Sequence, residues 1–107
     1  MADRLGGLLG LARRAGKVTC GADAIVRDVL RGRAKVVLFA SDAAERTVKN
    51  IAAACRESGV ESYTVPYDKA LLGLKVGRDA TAAAAVCDGA FAAGISDICR
   101  EITGGIC

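Results

Sequence analysis

Apolar residues along the chain recur at two spacings, one typical of amphipathic helices and one typical of buried strands. Helical spacing predicts a first helix that ends near Gly16 and is carried by Leu5, Leu8, Leu9, Ala12 and Ala15. The same spacing predicts a second helix, stopped by Gly32, whose apolar face comprises Ala22, Ile25, Val26, Val29 and Leu30. The polar face of this second helix is formed by Asp23, Arg27 and Arg31.

The segment "KVVLFA" is apolar at nearly every position, which predicts a strand buried on both faces. A short strand is predicted at "KVTC", and two further strands are predicted at "ESYTV" and "ATAAAAV". Three further helices are predicted at "SDAAERTVKNIAAACRESG", at "YDKALLGLKVG" and over the segment carrying Phe91, Ile95, Ile98 and Ile102. Helices and strands therefore alternate along the whole sequence.

Aspartates stand where three of these helices are expected to begin. Asp42 with Glu45 forms an acidic variant of the capping box, and Asp68 and Asp88 are placed as N-caps. Capping explains these carboxylates without a catalytic cluster. The alternation of elements predicts an α/β fold, a three-layer α/β/α sandwich with a central four-stranded mixed sheet.

The length of 107 residues favours one domain over residues 1–107, and the balance of apolar and charged residues is typical of globular proteins. No apolar run approaches the ~20 residues of a membrane helix, and the first segment lacks the pattern of a signal peptide, so we expect a cytoplasmic protein. Positive charge is uneven. Residues 1–50 carry ten Lys or Arg against five Asp or Glu, whereas residues 51–107 carry five against seven. A basic first half is compatible with nucleic acid.

Several classes of chemistry are disfavoured. The chain has no histidine, which excludes Ser-His and Cys-His nucleophilic pairs. Its five cysteines include no C-x-x-C pair, so neither a zinc site nor a disulfide framework is expected, and no cofactor is predicted. Cys20 precedes a helix start, where a thiolate is favoured, but a small buried residue at the end of a strand is the preferred interpretation. We therefore do not expect an enzyme.

The start of the second helix, "GADAIVRDVLRG", directly follows the basic stretch "RRAGKVTC". Gly21 allows a close approach to the backbone N–H groups there, and these groups with the helix dipole favour phosphate. Arg13, Arg14, Lys17 and Arg27 surround this point, with Arg31, Arg33 and Lys35 at the far end of the helix. The alternative is a solvated helix face, on which Asp23 and Arg27 form an i, i+4 ion pair.

Three segments in combination resemble the kink-turn-binding ribosomal protein superfamily, which includes the large-subunit proteins seven-Ae and thirty-e. They are "LARRAGK", "RGRAKVVLFASDA" and the Leu-Gly-x-x-x-Gly pattern of Leu72, Gly73 and Gly77. The likeness spans residues 5–98 and is greatest to the small bacterial YlxQ-like and YbxF-like branch. It implies an α/β/α sandwich that binds structured RNA and catalyses no reaction. The RNA would be ribosomal RNA or another RNA with an internal loop. The likeness implies no membrane partner and no small-molecule substrate.

Members of the superfamily contact RNA with the start of the second helix and with the loop before the last strand. The resemblance and the positive charge around the helix start together predict an RNA-binding set, which comprises Arg14, Lys17, Gly21, Ala22, Asp23, Ala24, Arg27, Arg31, Gly77, Arg78 and Asp79.

Typical members open the second helix with Gly-x-Asn-Glu-x-x-Lys, whereas here Asp23, Ala24 and Arg27 occupy the last three positions of that pattern. An ionised aspartate only accepts hydrogen bonds, and alanine offers no polar group. Two hypotheses follow. The chain is an RNA-binding module, or it is a protein-interaction module on the same scaffold with decayed RNA determinants.

Overall fold

In the computed structural model, which describes residues 3–102, five helices and four strands alternate in the predicted order. Along the chain they are α1 Arg4–Arg14, β1 Val18–Cys20, α2 Ala22–Leu30, β2 Val36–Phe39, α3 Glu45–Ser58, β3 Glu61–Thr64, α4 Lys69–Lys75, β4 Ala83–Val86 and α5 Gly89–Ile102. The first helix ends where predicted, because Gly16 adopts a left-handed φ of 72° just beyond it.

The four strands form one mixed sheet in the order β1-β4-β2-β3. β2 and β3 are parallel, whereas β4 runs antiparallel to both β1 and β2. β1 and β2 therefore point the same way, and both end where β4 begins. This topology brings Gly21, which follows β1, to the same end of the sheet as the loop of residues 76–82, which precedes β4.

β2 separates two hydrophobic cores. Val36 and Leu38 face a core built with α1, α4 and α5, whereas Val37 and Phe39 face a core built with α2 and α3. All four side chains are buried, as the uninterrupted apolar run predicts. Burial of each such side chain stabilises the fold by about 1.5–3 kcal/mol. The prediction of an α/β/α sandwich with a central four-stranded mixed sheet is confirmed.

The predicted apolar face of α2 is partly wrong. Ile25 and Val29 are buried, but Ala22 is exposed and Leu30 is 52% exposed. Both are terminal residues of a helix whose middle turns alone pack on the core. Asp28 takes a buried position on this face instead. Ala15, expected on the apolar face of α1, is also exposed, because it lies beyond the last helical residue.

Two of the three predicted caps are confirmed. The Asp68 Oδ1 accepts a hydrogen bond from the Leu71 N–H at 2.8 Å, and the Asp88 Oδ2 accepts one from the Phe91 N–H at 3.0 Å. The capping box at the start of α3 is wrong, because Asp42 instead accepts from the Lys69 N–H at 2.8 Å. A bond from the Ser41 N–H to the Tyr67 carbonyl brings Asp42 against the start of α4 rather than α3.

Candidate nucleic-acid interface

The N-terminus of α2 is open. Gly21 is its N-cap residue, with φ 94° and ψ 129°, a backbone conformation that side-chain-bearing residues rarely adopt. Within residues 3–102 no side chain caps the helix there, and no heavy atom outside its chain neighbours lies within 4 Å of the place where a Gly21 Cβ would stand. The first-turn N–H groups are therefore left for a partner, and with the helix dipole they favour an anion.

The loop of residues 76–82 lies beside this helix start. The Arg78 guanidinium is next to the Cys20 thiol, one residue before Gly21. Burial raises the pKa of that thiol above its usual value, while Arg78 acts in the opposite direction. A raised pKa keeps Cys20 protonated near neutral pH, so the thiolate nucleophile considered from the sequence is not favoured.

The backbone of this loop rests directly on α4. The Arg78 N–H donates to the Gly73 carbonyl at 2.7 Å, and the Thr81 N–H donates to the Lys69 carbonyl at 3.0 Å. A Cβ on Gly73 would stand 2.6 Å from the Ala80 Cα, so only glycine permits this approach. Gly77, with φ 76°, leaves room for the Arg13 guanidinium.

The cations around α2 are not neutralised by carboxylates. Among residues 3–102, ion pairs join Arg4, Lys49, Lys75 and Arg100 to acidic side chains. No such pair involves the exposed cations of the candidate interface, which are Arg13, Arg14, Lys17, Arg27, Arg31, Arg33, Lys35 and Arg78. Their positive charge is available to an anionic partner.

The alternative interpretation of the α2 surface required an ion pair between Asp23 and Arg27. Both side chains are exposed, and within the described part of the chain they form no such pair. Arg27 therefore extends into solvent from the polar face of α2. The surface differs in this respect from the salt-bridged helix face that the alternative predicted.

The structure brings seven of the predicted RNA-binding residues together at one end of the sheet and places the other four at separate positions. Gly21, Ala22, Asp23, Ala24, Gly77, Arg78 and Asp79 lie at the end of the sheet where α2 begins. Arg27 follows one turn along α2. Arg31 is the C-cap residue of α2, about 13 Å along the helix axis from Ala22, and Lys17 precedes the end of β1 that is opposite to Gly21. Arg14 is the last residue of α1.

Three residues that interact on the buried side of α2, one of them in the helix itself, were not identified from the sequence. The Thr19 Oγ1 donates a hydrogen bond to the Asp28 Oδ2 at 2.7 Å, and the Cys87 Sγ donates to the same oxygen at 3.8 Å. Asp28 is only 9% exposed. Its spacing of three residues from Ile25 places it on the apolar face, and an acidic residue at that spacing was the available signal.

No group of three or more cysteine or acidic side chains within residues 3–102 is arranged to hold a metal ion. The cysteines Cys20, Cys55, Cys87 and Cys99 are all free thiols. In the part of the chain that the structure describes, every helix is too short or too polar to cross a membrane.

Solved structures that share this fold include the following two. A protein with unknown function from Bacillus halodurans C matches with a TM-score of 0.87 and 28% identity, over 94% of this chain and all of that one. The Giardia lamblia 15.5kD RNA binding protein matches with a TM-score of 0.76 over 96% of this chain and 88% of that one. The second is only 21% identical, so it supports the fold alone.

The chain is also similar to proteins identified by sequence. It is 40% identical over 89 residues to the RNA-binding protein YlxQ of Bacillus subtilis strain 168, covering 79% of this chain and 84% of that protein. The RNA-binding protein YlxQ of Enterococcus faecium is 43% identical over 44 residues, covering 41% of this chain and 43% of that protein. A family model matches residues 3–96. This chain therefore belongs to the ribosomal protein L7Ae/L30e/S12e/Gadd45 family, as its resemblance to kink-turn-binding ribosomal proteins indicated.

Proposed function

We propose that this protein binds structured RNA in a ribosomal or other ribonucleoprotein context, without catalysing a reaction. The start of α2 and the loop between α4 and β4 form the contact surface. One observation carries the proposal, namely the N-terminus of α2 beside Arg78, which has no side-chain cap and is surrounded by cations that form no ion pair within residues 3–102. Family membership and the RNA-binding name of the Bacillus subtilis relative support it.

The backbone supplies the position of the RNA. A phosphate group placed at the N–H groups of Ala22, Asp23 and Ala24 meets the positive end of the helix dipole. Arg78 stands beside this point, and Arg27 extends from the next turn of α2. Contacts of this kind fix the register of a nucleic acid without reading its sequence.

Few side chains at this surface can form hydrogen bonds to base edges. Arg27 carries a planar guanidinium that can donate two hydrogen bonds to O6 and N7 of guanine. Asp23 accepts hydrogen bonds but donates none when ionised, and Ala24 contributes no polar atom. Arg78 and Asp79 can contact an unpaired base by hydrogen bonds, but that loop contains no aromatic residue for stacking. Recognition therefore depends more on backbone shape and charge than on base edges.

Charge reversal at Arg27 tests the proposal. Arg27→Glu should abolish RNA binding and leave the fold intact, because the side chain is exposed and has no ion-pair partner within residues 3–102. Arg56→Glu, an equal charge change on the last turn of α3, is the matched control. Both variants and the wild type are purified from cells with their bound RNA. RNA recovered equally from all three proteins would contradict the proposal.

A protein-interaction module is the second candidate, and one observation favours it. Leu74 is 71% exposed and Leu71 is 37% exposed on α4, which leads directly into the Gly77–Arg78 turn. Exposed leucines adjacent to a functional loop are typical of protein contacts. Unchanged RNA affinity in Arg27→Glu, together with a partner lost in Leu74→Ser, would favour this function over RNA binding.

A further inference from the structure

Asp28 is the only buried charged side chain within residues 3–102. Its carboxylate forms no ion pair there, although α2 carries Arg27 and ends at Arg31. A buried carboxylate costs free energy unless hydrogen bonds compensate for the lost water. Its position therefore calls for an explanation other than charge neutralisation.

The partners of Asp28 belong to the sheet, not to the helix. The Oδ2 atom accepts hydrogen bonds from the Thr19 Oγ1 at 2.7 Å and from the Cys87 Sγ at 3.8 Å. Thr19 lies in the middle of β1, and Cys87 directly follows β4. One carboxylate thus ties α2 to two neighbouring strands.

The bond to Thr19 spans the candidate interface. It joins two points nine residues apart, and the segment between them includes Gly21, the first turn of α2 and Arg27. That first turn has no side-chain cap to hold it. Uncapped helix ends tend to fray, and fraying would move the N–H groups that the proposed function assigns to phosphate.

We infer that Asp28 is a positioning residue for RNA, because its hydrogen bond to Thr19 fastens the last turn of α2 to β1 and so limits movement of the whole short helix, including its uncapped first turn. This inference rests on the proposed function. Asp28 does not contact RNA itself. It keeps the open helix end and Arg27 in one orientation, without occupying the N–H groups as a capping side chain would.

The test removes the donor and leaves the carboxylate. Thr19→Val has the same shape without the hydroxyl, and Thr19→Ser retains the hydroxyl as the matched control. The Ile25 N–H bonds to the Gly21 carbonyl at 2.9 Å and reports the first turn, whereas the Val65 N–H bonds to the Phe39 carbonyl and reports the sheet. In the free protein, Thr19→Val should speed hydrogen exchange at Ile25 about tenfold more than at Val65. Thr19→Ser should stay near the wild type.

RNA binding provides the second readout. Titrations at low salt use a kink-turn hairpin and a duplex of equal length. Thr19→Val should weaken binding to the hairpin about tenfold and leave the duplex affinity unchanged, because duplex binding depends mainly on charge. Asp28→Asn keeps an acceptor oxygen for Thr19 and should retain the hairpin preference. Asp28→Asn serves as the second variant if Thr19→Val does not fold. If a folded Asp28→Asn protein loses the hairpin preference, the hydrogen bond between Thr19 and residue 28 is not what positions α2.

The outcomes separate the two proposals. Equal acceleration of exchange at Ile25 and Val65, or no acceleration at Ile25, overturns the positioning role even if the wild type binds RNA. Equal losses of hairpin and duplex affinity in Thr19→Val also overturn it. Failure of the wild type to bind either RNA overturns the proposed function and the RNA role of Asp28 with it, and the exchange data then describe only a local tether.

Discussion

At the scale of single residues, Asp23 and Ala24 decide how the open end of α2 meets RNA. Both precede Arg27 on the first turns of the helix, and Asp23 is exposed. Ionised Asp23 repels phosphate and lacks the donor that asparagine offers, whereas Ala24 leaves guanine donors without an acceptor. The two positions retain the backbone geometry of the family pattern but lack its hydrogen-bonding groups.

Restoring those groups should restore kink-turn affinity. Each lost base contact costs ~1–3 kcal/mol, so Asp23→Asn combined with Ala24→Glu should tighten binding to a standard kink-turn at least about tenfold. The net charge of the double variant equals that of the wild type, so the gain must come from specific contacts. A gel-shift titration on the kink-turn and on a duplex of equal length measures the effect.

Two results would contradict this account of Asp23 and Ala24. One is nanomolar binding of the kink-turn by the wild type. The other is no gain in the double variant, or an equal gain on the duplex.

Outside the candidate interface, Asp3 is the N-cap residue of α1 and interacts with three other residues. Its carboxylate pairs with the Lys75 Nζ at 2.8 Å, accepts a hydrogen bond from the Tyr67 hydroxyl and caps α1 at the Gly6 N–H. Lys75 first, then Tyr67 and Gly6, lower the pKa of Asp3 to about 2. The ionised form is thus favoured in the folded state.

Because the pKa of Asp3 is lower in the folded protein than in the unfolded chain, the fold loses stability as the pH falls. The contribution of ionised Asp3 is present above pH 4 and is lost as the pH falls through about 2. Asp3→Asn keeps a capping side chain and removes the charge. It should therefore lower the thermal unfolding midpoint at pH 7 and have little effect below pH 2. An equal decrease at both pH values would contradict the charge argument.

At the scale of elements, Gly73 couples α4 to the loop that carries Arg78. A Gly73 Cβ would approach the backbone of Ala80 to 2.6 Å, so any side chain must displace the loop. Gly73→Ala should lower the free energy of unfolding by about 1–3 kcal/mol, the usual cost of overpacking. Because the loop lies beside Gly21, RNA affinity should fall as well. Chemical denaturation and RNA titration measure the two effects.

Gly89 provides the matched control for Gly73. It begins α5, and no heavy atom outside its own helix and chain neighbours lies within 4 Å of its Cβ position. Gly89→Ala should be neutral or stabilise the fold by up to about 1 kcal/mol, because alanine is the better helix former. Equal destabilisation by both substitutions would show that close packing at Gly73 is not the cause.

The sequence was sufficient for the elements whose signals are local. The apolar run at β2, the glycine beyond α1 and the caps at Asp68 and Asp88 all act within a few residues, and all are confirmed. Asp42 was assigned to the wrong helix because its partner, the Lys69 N–H, is 27 residues away. A capping pattern identifies the type of interaction, but only the fold determines which helix end is within reach.

The same limit applies to the candidate interface. Spacing and resemblance marked Gly21 and Arg78 separately, but their proximity depends on β1 and β4 pairing as neighbours. Thr19 and Asp28 were missed because their bond joins a strand to the buried side of a helix. The spacing of Asp28 from Ile25 was a signal that its carboxylate is buried, but the sequence did not indicate Thr19 as its partner.

At the scale of the whole molecule, exposed cations without an ion pair within residues 3–102 are concentrated in residues 13–35. Residues 13–35 carry seven exposed cations and only two acidic residues, one of which is the buried Asp28. The ion pairs of the described residues lie outside this segment and involve the cations Arg4, Lys49, Lys75 and Arg100. An unneutralised basic surface attracts a polyanion over distances comparable to the Debye length of about 8–10 Å.

This distribution predicts a strong dependence of RNA binding on salt. If about four phosphates are contacted, the plot of log association constant against log salt should have a slope of about −3 to −4. The predicted value reflects cations at both ends of α2, from Arg78 to Arg31, rather than a single contact. The slope is measured by titrating one RNA at several salt concentrations.

Neutral substitutions then assign the slope to individual side chains. Lys17→Gln and Arg31→Gln should each reduce its magnitude by about 0.9 if the side chain releases one counterion from the RNA. Arg56→Gln, on the last turn of α3, should leave it unchanged. Lys17 and Arg31 lie away from Gly21, so their effects report how far the RNA extends along the molecule. If only Arg27→Gln reduces the slope, the RNA contact is confined to the start of α2. If all variants, including Arg56→Gln, reduce the slope equally, the RNA is attracted to the net charge and the protein has no defined binding surface.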